Sequence, residues 1–382
     1  MKRTNLLAWL LLACTTLAAQ QRQEITLSDD WSFSQDGQQW QTVSIPHDWA
    51  ISGPFDKKWD LQMVAIEQNG EKEATEKSGR SGSLPWIGEG HYKRNFTIPS
   101  GFIGHAELLF DGAMAEPVVY VNGQRAGHWA YGYNAFRVDI TPYIKIGEHS
   151  ASFEENLLAV DLKNVEESSR WYPGAGLYRP VTLILTPTKS YIDDWSIFIK
   201  PLGNKKVKAG ERVPMKVNFE IQNPTENLRY AVDVLDETGH SIVKGGDQKH
   251  ALEFVNGKIG FSFPVSNARL WSPESPALYK LVISLYDGDK MIDQKAQRFG
   301  IRTISVSQKG GFQLNGQTRK IKGVCLHHDL GPLGAAINKA ALIRQIKILK
   351  DMGCDAIRTA HNMPSQWQMD ICDSLGMMVM AE

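Results

Sequence analysis

The stretch that decides the fold lies at the end of the chain, between residues 319 and 382. It consists of five segments: RKIKGVCLHH (319–328), NKAALIRQIKILKDMG (338–353), DAIRTAH (355–361), SQWQMDICDSLG (365–376) and MMVMAE (377–382). The second and fourth segments space their apolar residues at a helical period, and each begins with an N-cap residue, Asn338 and Ser365. The other three are short and apolar, as buried strands are. This strand–helix–strand–helix–strand order with short links indicates a parallel sheet with crossover helices.

Upstream, short alternating runs are separated by turn residues, as in antiparallel sheets. Over residues 23–188, runs such as HYKRNFTIP alternate apolar and polar positions, and Asn122 and Gly123 stand between two such runs as a hairpin turn. We therefore expect an antiparallel β-sandwich of jelly-roll type in this part of the chain. After a break at TPTKS, residues 191–305 suggest about seven further strands, which suits an immunoglobulin-like sandwich.

The composition excludes several classes of protein. Lys plus Arg and Asp plus Glu number 42 each, so no net charge favours nucleic acid or an anionic membrane as a partner. Beyond the N-terminus, no segment is apolar enough to span a bilayer. Cys325, Cys354 and Cys372 are odd in number and scattered, so we expect neither a disulfide framework nor a metal site built on cysteines.

Residues 1–20, MKRTNLLAWLLLACTTLAAQ, have the layout of a secretory signal peptide. Lys2 and Arg3 precede an apolar stretch, and small residues follow it. The sequence LLAC also leaves open a lipoprotein cleavage site with Cys14 lipidated, although Leu12 fits that pattern poorly. We expect an exported protein, periplasmic or extracellular.

A series of motifs along the chain resembles glycoside hydrolase family 2, the β-galactosidase and β-glucuronidase group. The motifs are IPHDWAI (45–51), GEGHYKRNFTIP (88–99), WYPGAGLYRPVTL (171–183), LWSPESPALYKL (270–281), RFGIRTI (298–304), FQLNGQTRKIKGVCLHHDLGPLG (312–334), IRTAHNMPS (357–365) and CDSLGMMVMAE (372–382). Each is weak alone, but their order and spacing match those of the family.

The resemblance implies a multidomain, mainly β fold. Its units are a jelly-roll sugar-binding domain at residues 21–189, an immunoglobulin-like β-sandwich at 190–305 and the N-terminal part of a (β/α)₈ TIM barrel at 306–382. A complete barrel of this type needs eight strands and roughly 250 residues. Because residues 306–382 supply about three strands, we expect the barrel to be incomplete and the sequence to be truncated within it.

The resemblance also implies where the catalytic groups of the family lie. Retaining glycosidases need two carboxyl groups about 5 Å apart, an acid/base and a nucleophile. In the family these glutamates end barrel strands 4 and 7, and both positions fall beyond Glu382. Glu382 itself ends strand 3, and the family pattern gives it no catalytic role. We therefore expect no catalytic residue in this chain and no hydrolysis by it alone.

Part of the substrate pocket is nevertheless expected here. His327 and His361 lie at the ends of barrel strands 1 and 2, where barrel active sites are built, and match family histidines that hydrogen-bond sugar hydroxyls. Asn362 is a further hydroxyl ligand by resemblance. A purely structural role is the alternative for either histidine.

The jelly roll is expected to reach into the same pocket. In EESSRWY (166–172) the family's acidic residue corresponds to Glu167, or to Glu166 in the other register, and an exposed surface carboxylate is the alternative. Four aromatic residues have faces that could stack on sugars, although core packing is the expected role for most of them: Trp129, Tyr131, Trp171 and Tyr172.

Three other polar residues of the barrel segment have different expected roles. Strand alternation places His328 on the opposite face from His327. We expect Arg358 in a buried ionic network at the base of the barrel. His327 and Asp329 alone are too few ligands for a metal site. No metal or other cofactor is therefore expected in this chain, while the resemblance leaves room for a divalent metal in the complete enzyme.

The motif HHDLGPLGAA (327–336) looks most like β-galactosidase members of the family. The expected function is hydrolysis of terminal β-D-galactosides with retention, in carbohydrate metabolism, with β-glucuronidase and β-mannosidase as alternatives. A non-catalytic carbohydrate-binding remnant is the alternative from another class. The expected partner is a carbohydrate substrate. We expect neither a nucleic-acid partner nor a membrane span, and the sequence leaves the oligomeric state open.

Export gives the first testable prediction. Sequencing the N-terminus of the secreted product should give a start near Gln20 or Gln21, or at a lipidated Cys14, because the charged and apolar leader is removed on export. Recovery of intact Met1 from a soluble cytoplasmic pool would contradict it.

Overall fold

The computed structural model describes residues 21–60, 88–147, 154–164, 171–203, 207–243, 248–255 and 257–382, together with residues 67, 70, 72, 73 and 86. The predicted signal peptide, with Cys14, lies outside these residues. Within them the chain forms a jelly roll, an immunoglobulin-like sandwich and a small parallel sheet with helices on one side, so the expected fold class is confirmed. No helix in this part of the chain is long and apolar enough to cross a membrane.

The jelly roll is a sandwich of two antiparallel sheets within the described residues. Its strands are β1 (Gln23–Thr26), β2 (Trp31–Ser34), β3 (Gln41–Val43), β4 (Glu89–Thr97), β5 (His105–Phe110), β6 (Val118–Val121), β7 (Gln124–His128), β8 (Phe136–Asp139), β9 (Glu155–Lys163) and β10 (Val181–Thr186). The sheet orders are β1-β10-β5-β8 and β3-β2-β4-β9-β6-β7. Strands such as β9 bury every second side chain in the core between the sheets. Asn122 and Gly123, both at positive φ, form the predicted hairpin turn between β6 and β7.

The immunoglobulin-like unit is also a sandwich of antiparallel sheets, and it has its own hydrophobic core. Its strands are β11 (Tyr191–Pro201), β12 (Val213–Gln222), β13 (Leu228–Leu235), β14 (His250–Ala251), β15 (Phe254–Val255), β16 (Lys258–Val265), β17 (Trp271–Ser272), β18 (Ser275–Pro276), β19 (Tyr279–Asp287) and β20 (Lys290–Phe299). The two larger sheets have the orders β11-β12-β16-β15 and β14-β13-β19-β20. Alternation along β12 directs its apolar side chains into the core between them.

The last part of the chain is a parallel sheet preceded by a small antiparallel one. The antiparallel strands are β21 (Ile304–Ser307), β22 (Gly311–Leu314) and β23 (Gln317–Thr318); the parallel strands are β24 (Gly323–Leu326), β25 (Ala356–Thr359) and β26 (Met378–Met380); the helices are α1 (Lys339–Asp351) and α2 (Gln366–Leu375). The predicted caps are confirmed, because the side chains of Asn338 and Ser365 accept hydrogen bonds from the first turns of α1 and α2. Since the three strands are parallel, their carboxyl ends meet at one edge.

Asp48 joins the jelly roll to this parallel unit. Its buried carboxylate accepts hydrogen bonds from the backbone N–H groups of Ala50, at 3.0 Å, and Ala175, at 2.9 Å. The second oxygen accepts from the hydroxyl of Tyr172, at 2.6 Å, and from the N–H of Ala335, at 2.8 Å. Ala335 lies in the connection between β24 and α1, so one carboxylate holds three separate segments.

Two further hydrogen bonds cross the same interface. The guanidinium of Arg179 in the jelly roll donates to the carbonyl of Met363, at 2.8 Å. The imidazole of His328, just after β24, is 2.8 Å from the carbonyl of Pro173. The connections that follow β24 and β25 are thereby held against the jelly roll.

The immunoglobulin-like sandwich is tied to both neighbours. The indole of Trp271 donates to the carbonyl of Asp373 in α2, at 2.9 Å. On the other side, Arg22 and Asp293 form a buried ion pair at 2.7 Å that links the first residues of the jelly roll to β20. These contacts fix the three units against one another.

Asp48→Asn should lower the free energy of unfolding by about 2–3 kcal/mol, because an amide keeps only one acceptor oxygen and leaves at least one buried N–H unpaired. Urea unfolding followed by tryptophan fluorescence measures the effect. Asp56→Asn, at an exposed carboxylate of the same domain, is the matched control and should change the value by less than about 0.5 kcal/mol. Equal losses in the two variants would contradict this role of Asp48.

The buried imidazole of His328 should make stability depend on pH. Burial lowers its pKa to about 4, although the hydrogen bond to Pro173 favours the charged ring. The unfolded chain, at the ordinary value of 6.5, takes up the proton first, so this contribution is complete above pH 6.5 and is lost as pH falls towards 4. The difference amounts to roughly 3 kcal/mol.

Unfolding in urea between pH 7 and 4 tests this dependence. The stability of the wild type should fall relative to that of His328→Phe as the pH decreases, since phenylalanine does not titrate. Burial also lowers the pKa of His47 to about 4. Because His47 is present in both proteins, its contribution to the pH dependence cancels in the comparison. Parallel pH profiles would show that the buried ring of His328 does not contribute.

Candidate functional site

The carboxyl edge of the parallel sheet brings together the two histidines that were predicted as sugar ligands and Glu382, for which no catalytic role is expected. His327 follows β24, His361 follows β25 and Glu382 follows β26. The ring centroids of His327 and His361 are 6.2 Å apart, and the imidazole Nδ1 of His361 lies 2.6 Å from a carboxylate oxygen of Glu382. The structure therefore assembles the two histidines as expected and adds a carboxylate beside them.

Glu382 is held as an anion by its neighbours. Its second carboxylate oxygen pairs with the guanidinium of Arg358. Desolvation raises the pKa of Glu382, but the hydrogen bonds from His361 and Arg358 outweigh it, and the net pKa lies below the ordinary value. A carboxylate that stays ionised accepts hydrogen bonds but cannot protonate a leaving group.

The expected location of Arg358 is wrong. Its side chain is partly exposed and reaches the carboxyl edge of the sheet, where it pairs with Glu382, and it does not enter a buried network at the base. The cause is strand alternation: Ile357 packs under the helices, so Arg358 leaves β25 on the opposite face. Its partner lies past the end of a neighbouring strand, which the pattern of β25 alone does not show.

Asn362 has an uncommon environment for a buried amide. The residue is 4% exposed, and neither its side-chain oxygen nor its nitrogen has a hydrogen-bond partner among the residues that the structure describes. Buried polar groups without partners are rare and call for an explanation such as a bound ligand or water. An amide that can both donate and accept, next to His361, suits a hydroxyl group.

Trp171 of the jelly roll covers the two histidines. Its ring stacks on His327 at a centroid distance of 5.5 Å and is tilted against His361 at 5.4 Å. Its indole N–H lies 3.2 Å from the hydroxyl of Tyr133. The jelly roll thus contributes directly to the site, and Trp171 limits the positions that the imidazoles can take.

His328 lies on the other side of its strand end, as predicted. It contacts the rings of Tyr133 and Tyr178 edge-on and bonds to Pro173, away from the pair formed by His327 and His361. Its role in the described structure is to hold the interface with the jelly roll.

The expectation of core packing is wrong for two of the four aromatic residues named from the sequence. Trp129 and Tyr131 are 39% and 48% exposed, since they lie in the connection that follows β7. Trp171 and Tyr172 are partly buried against the barrel unit. Glu166 and Glu167 lie outside the described residues, so the structure does not place them.

The site can hydrogen-bond hydroxyl groups, but it holds few groups for covalent chemistry. Within the described residues, Glu382 is the carboxylate that contacts His361, and no group of three or more His, Cys, Asp or Glu side chains could hold a metal ion. A cleft of about 780 Å³ lies elsewhere, against Lys322 and Asp355, which precede β24 and β25. It is therefore at the opposite end of the strands from the candidate site.

Family models match almost the whole chain. The sugar binding domain of glycosyl hydrolases family 2 matches residues 16–187, the model named Glycosyl hydrolases family 2 matches 190–302, and the family's TIM barrel domain matches 304–382. The three matches follow the order of the jelly roll, the immunoglobulin-like sandwich and the parallel unit.

Individual relatives agree with these matches. The chain is 33% identical to the beta-galactosidase BoGH2A of Bacteroides ovatus over 90% of its length and 38% of the relative's. It is 26% identical to a beta-glucuronidase of Bacteroides fragilis over 98% of its length and 51% of the relative's. A solved glycosyl hydrolase family 2 member from Bacteroides cellulosilyticus superimposes with a TM-score of 0.80 at 30% identity, over 93% of this chain and 45% of that one.

The chain spans about a third of the length of the curated relatives that it matches first. Over that span, the order of the domains in the structure agrees with the order of the three family matches. The chain belongs to glycosyl hydrolase family 2.

Proposed function

We propose that the protein to which this chain belongs is an exported glycosidase that hydrolyses terminal β-D-galactosides with retention. The observation that carries the proposal is the meeting of His327 and His361 at the carboxyl edge of the parallel sheet, against the ring of Trp171, with Asn362 next to His361 in the chain. Two imidazoles and an unpartnered amide can bind several sugar hydroxyls at once.

The charge of the site favours a neutral sugar over a uronic acid. A uronate carboxylate needs a cation to pair with, and Arg358 beside the site is already neutralised by Glu382. Arg179 donates to backbone carbonyls of Asp111, Tyr133 and Met363. Relatives carry both beta-galactosidase and beta-glucuronidase names, so a β-glucuronide is the competing substrate.

The residues present in this chain suit sugar binding and positioning. His327, His361 and Asn362 would bind and orient the terminal sugar, and the ionised Glu382 would keep Arg358 and His361 in position. Retention requires a second carboxyl group about 5 Å from the first, one of the two protonated. We propose that this pair comes from barrel strands beyond residue 382.

The first test compares this chain with a form extended through all eight barrel strands on chromogenic β-galactoside, β-glucuronide and β-mannoside. The extended form should prefer the galactoside, and the 382-residue chain should be inactive because it lacks the acid/base and the nucleophile. Preference for the glucuronide would overturn the substrate assignment. Turnover by the short form close to that of the extended one would overturn the assignment of the carboxylates.

The second test concerns His361 in the extended form. His361→Ala should lower turnover about 10- to 1,000-fold, as the loss of a preorganised contact to the transition state does. His240→Ala, at an exposed histidine of the immunoglobulin-like sandwich, is the matched control and should keep wild-type kinetics. A folded His361→Ala enzyme that is as active as this control would return His361 to a structural role.

A further inference from the structure

The outer face of one sheet of the immunoglobulin-like sandwich carries exposed apolar side chains next to cations. Along β11, Ile197 and Ile199 pack against the core of the sandwich, so the side chains that alternate with them point outward. These are Phe198, Lys200 and, just past the end of the strand, Leu202. Phe198 and Leu202 are 56% and 48% exposed. We call the outward side of β11 and of its neighbours β12 and β16 the β11 face.

Lys200 and Lys216 lie directly opposite each other on the β11 face. The register of β11 and β12 pairs them, and alternation turns both side chains outward. Like charges in this arrangement repel each other and destabilise a sheet. Among the described residues neither ammonium group forms an ion pair, whereas Lys258 of the same face is paired with Glu220, at 3.0 Å. The β11 face therefore has a local excess of positive charge beside Phe198.

A cleft of about 270 Å³ opens on the same face, and its lining residues are Arg212, Pro214, Ser262, Phe263 and Pro264. Ser262 is directly opposite Lys216 in the register of β12 and β16. Arginine, lysine and serine side chains all donate hydrogen bonds to phosphate oxygens, and the first two also bring charge. Because the cleft is smaller than sites for drug-sized ligands, roughly 300–1,000 Å³, it suits a single charged headgroup.

The start of the described chain lies beside β11. The guanidinium of Arg22 donates to the carbonyl of Ile192, the second residue of that strand, at 2.7 Å. Cys14, the alternative cleavage site in the leader, is eight residues upstream of Arg22 and could reach at most about 28 Å from it. Phe198 is about 20 Å along β11 from Ile192. The β11 face is therefore within reach of a lipid attached to Cys14, were the leader processed there.

Apolar side chains that alternate with lysines are typical of surfaces that contact anionic bilayers, because the apolar groups enter the headgroup layer while the cations pair with phosphates. We propose that the β11 face docks on the surface of an anionic lipid bilayer, with a headgroup phosphate in the cleft. The balanced charge of the whole chain does not oppose this docking, since a bilayer responds to charges within a Debye length, about 8 Å at physiological salt. The face shares no residue with the candidate site, so the proposal goes beyond the proposed hydrolysis.

Co-sedimentation with vesicles tests the proposal on the chain from Gln21, because the apolar leader would itself enter lipid. The chain should bind vesicles of phosphatidylglycerol and phosphatidylcholine in equal parts, and should bind pure phosphatidylcholine at least about 10-fold more weakly. Raising the NaCl concentration from about 0.1 to 1 M shortens the Debye length from about 10 to 3 Å and should release most of the protein.

Variants of the β11 face should weaken binding to the anionic vesicles. Lys200→Gln combined with Lys216→Gln should do so about 10- to 30-fold, since each lysine near an anionic surface contributes about a factor of five. Phe198→Ala should do so about 3- to 10-fold through the loss of apolar contact, and Leu202→Ala tests the same contact independently. None of these side chains is buried, so the variants should fold, which urea unfolding checks.

Matched controls make the same chemical changes away from the β11 face. Lys280→Gln combined with Lys290→Gln neutralises two exposed lysines of the other sheet. Phe254→Ala removes an exposed ring from β15, at the far edge of the same sheet. Both controls should bind the anionic vesicles like the wild type.

The proposal is overturned if the chain does not bind anionic vesicles, if it binds phosphatidylcholine equally well, or if the variants of the β11 face bind like their controls. Displacement from the vesicles by inorganic phosphate or trigalacturonate at constant ionic strength would show a site for soluble anions instead, and would overturn it too. A dimer in solution that Phe198→Ala dissociates would assign the face to a second copy, with the same consequence. None of these outcomes depends on hydrolysis, so the proposed function is tested separately.

Discussion

The buried carboxylate of Asp48 is the constraint on which the candidate site depends. Its two oxygens accept four hydrogen bonds and thereby hold Tyr172 and Ala175 of the jelly roll and Ala335 of the barrel unit in one geometry. Trp171 precedes Tyr172 and lies against His327 and His361 because that segment is held there. No neutral side chain of the same size presents two acceptor oxygens in this arrangement. The jelly roll therefore shapes the barrel site through this buried carboxylate, together with the hydrogen bonds of Arg179 and His328 across the same interface.

Much of the fold is predictable because it depends on local patterns. The two helices of the barrel unit are predicted by the helical spacing of their apolar residues and by the N-caps at Asn338 and Ser365. The turn at Asn122 is predicted because asparagine tolerates positive φ. The opposite directions of His327 and His328 follow from strand alternation. These features need no knowledge of distant contacts, and the structure has them as predicted.

The remaining features of the site could not be read from local pattern, because their partners are distant in sequence. Trp171 of the jelly roll packs against His327 and His361 of the barrel unit. Arg358 of β25 forms an ion pair with Glu382, which follows the neighbouring strand β26. The lack of partners around Asn362 is a property of the folded interior. Glu166 and Glu167 remain predictions. The ion pair between Arg358 and Glu382 also neutralises both charges beside the site, which the sequence alone does not show.

The position of β1 has a consequence for the order of folding during synthesis. The first strand that the structure describes, β1, lies at the edge of its sheet and pairs there with β10 alone among the described strands, so this pairing waits until residues 182–185 have been made. Arg22, just before it, finds Asp293 still later. Domains usually complete themselves from the N-terminus as the chain emerges. Here β1 is synthesised before the other strands of its sheet but is paired only when β10 has been made, and Arg22 is paired only when most of the second sandwich has been made.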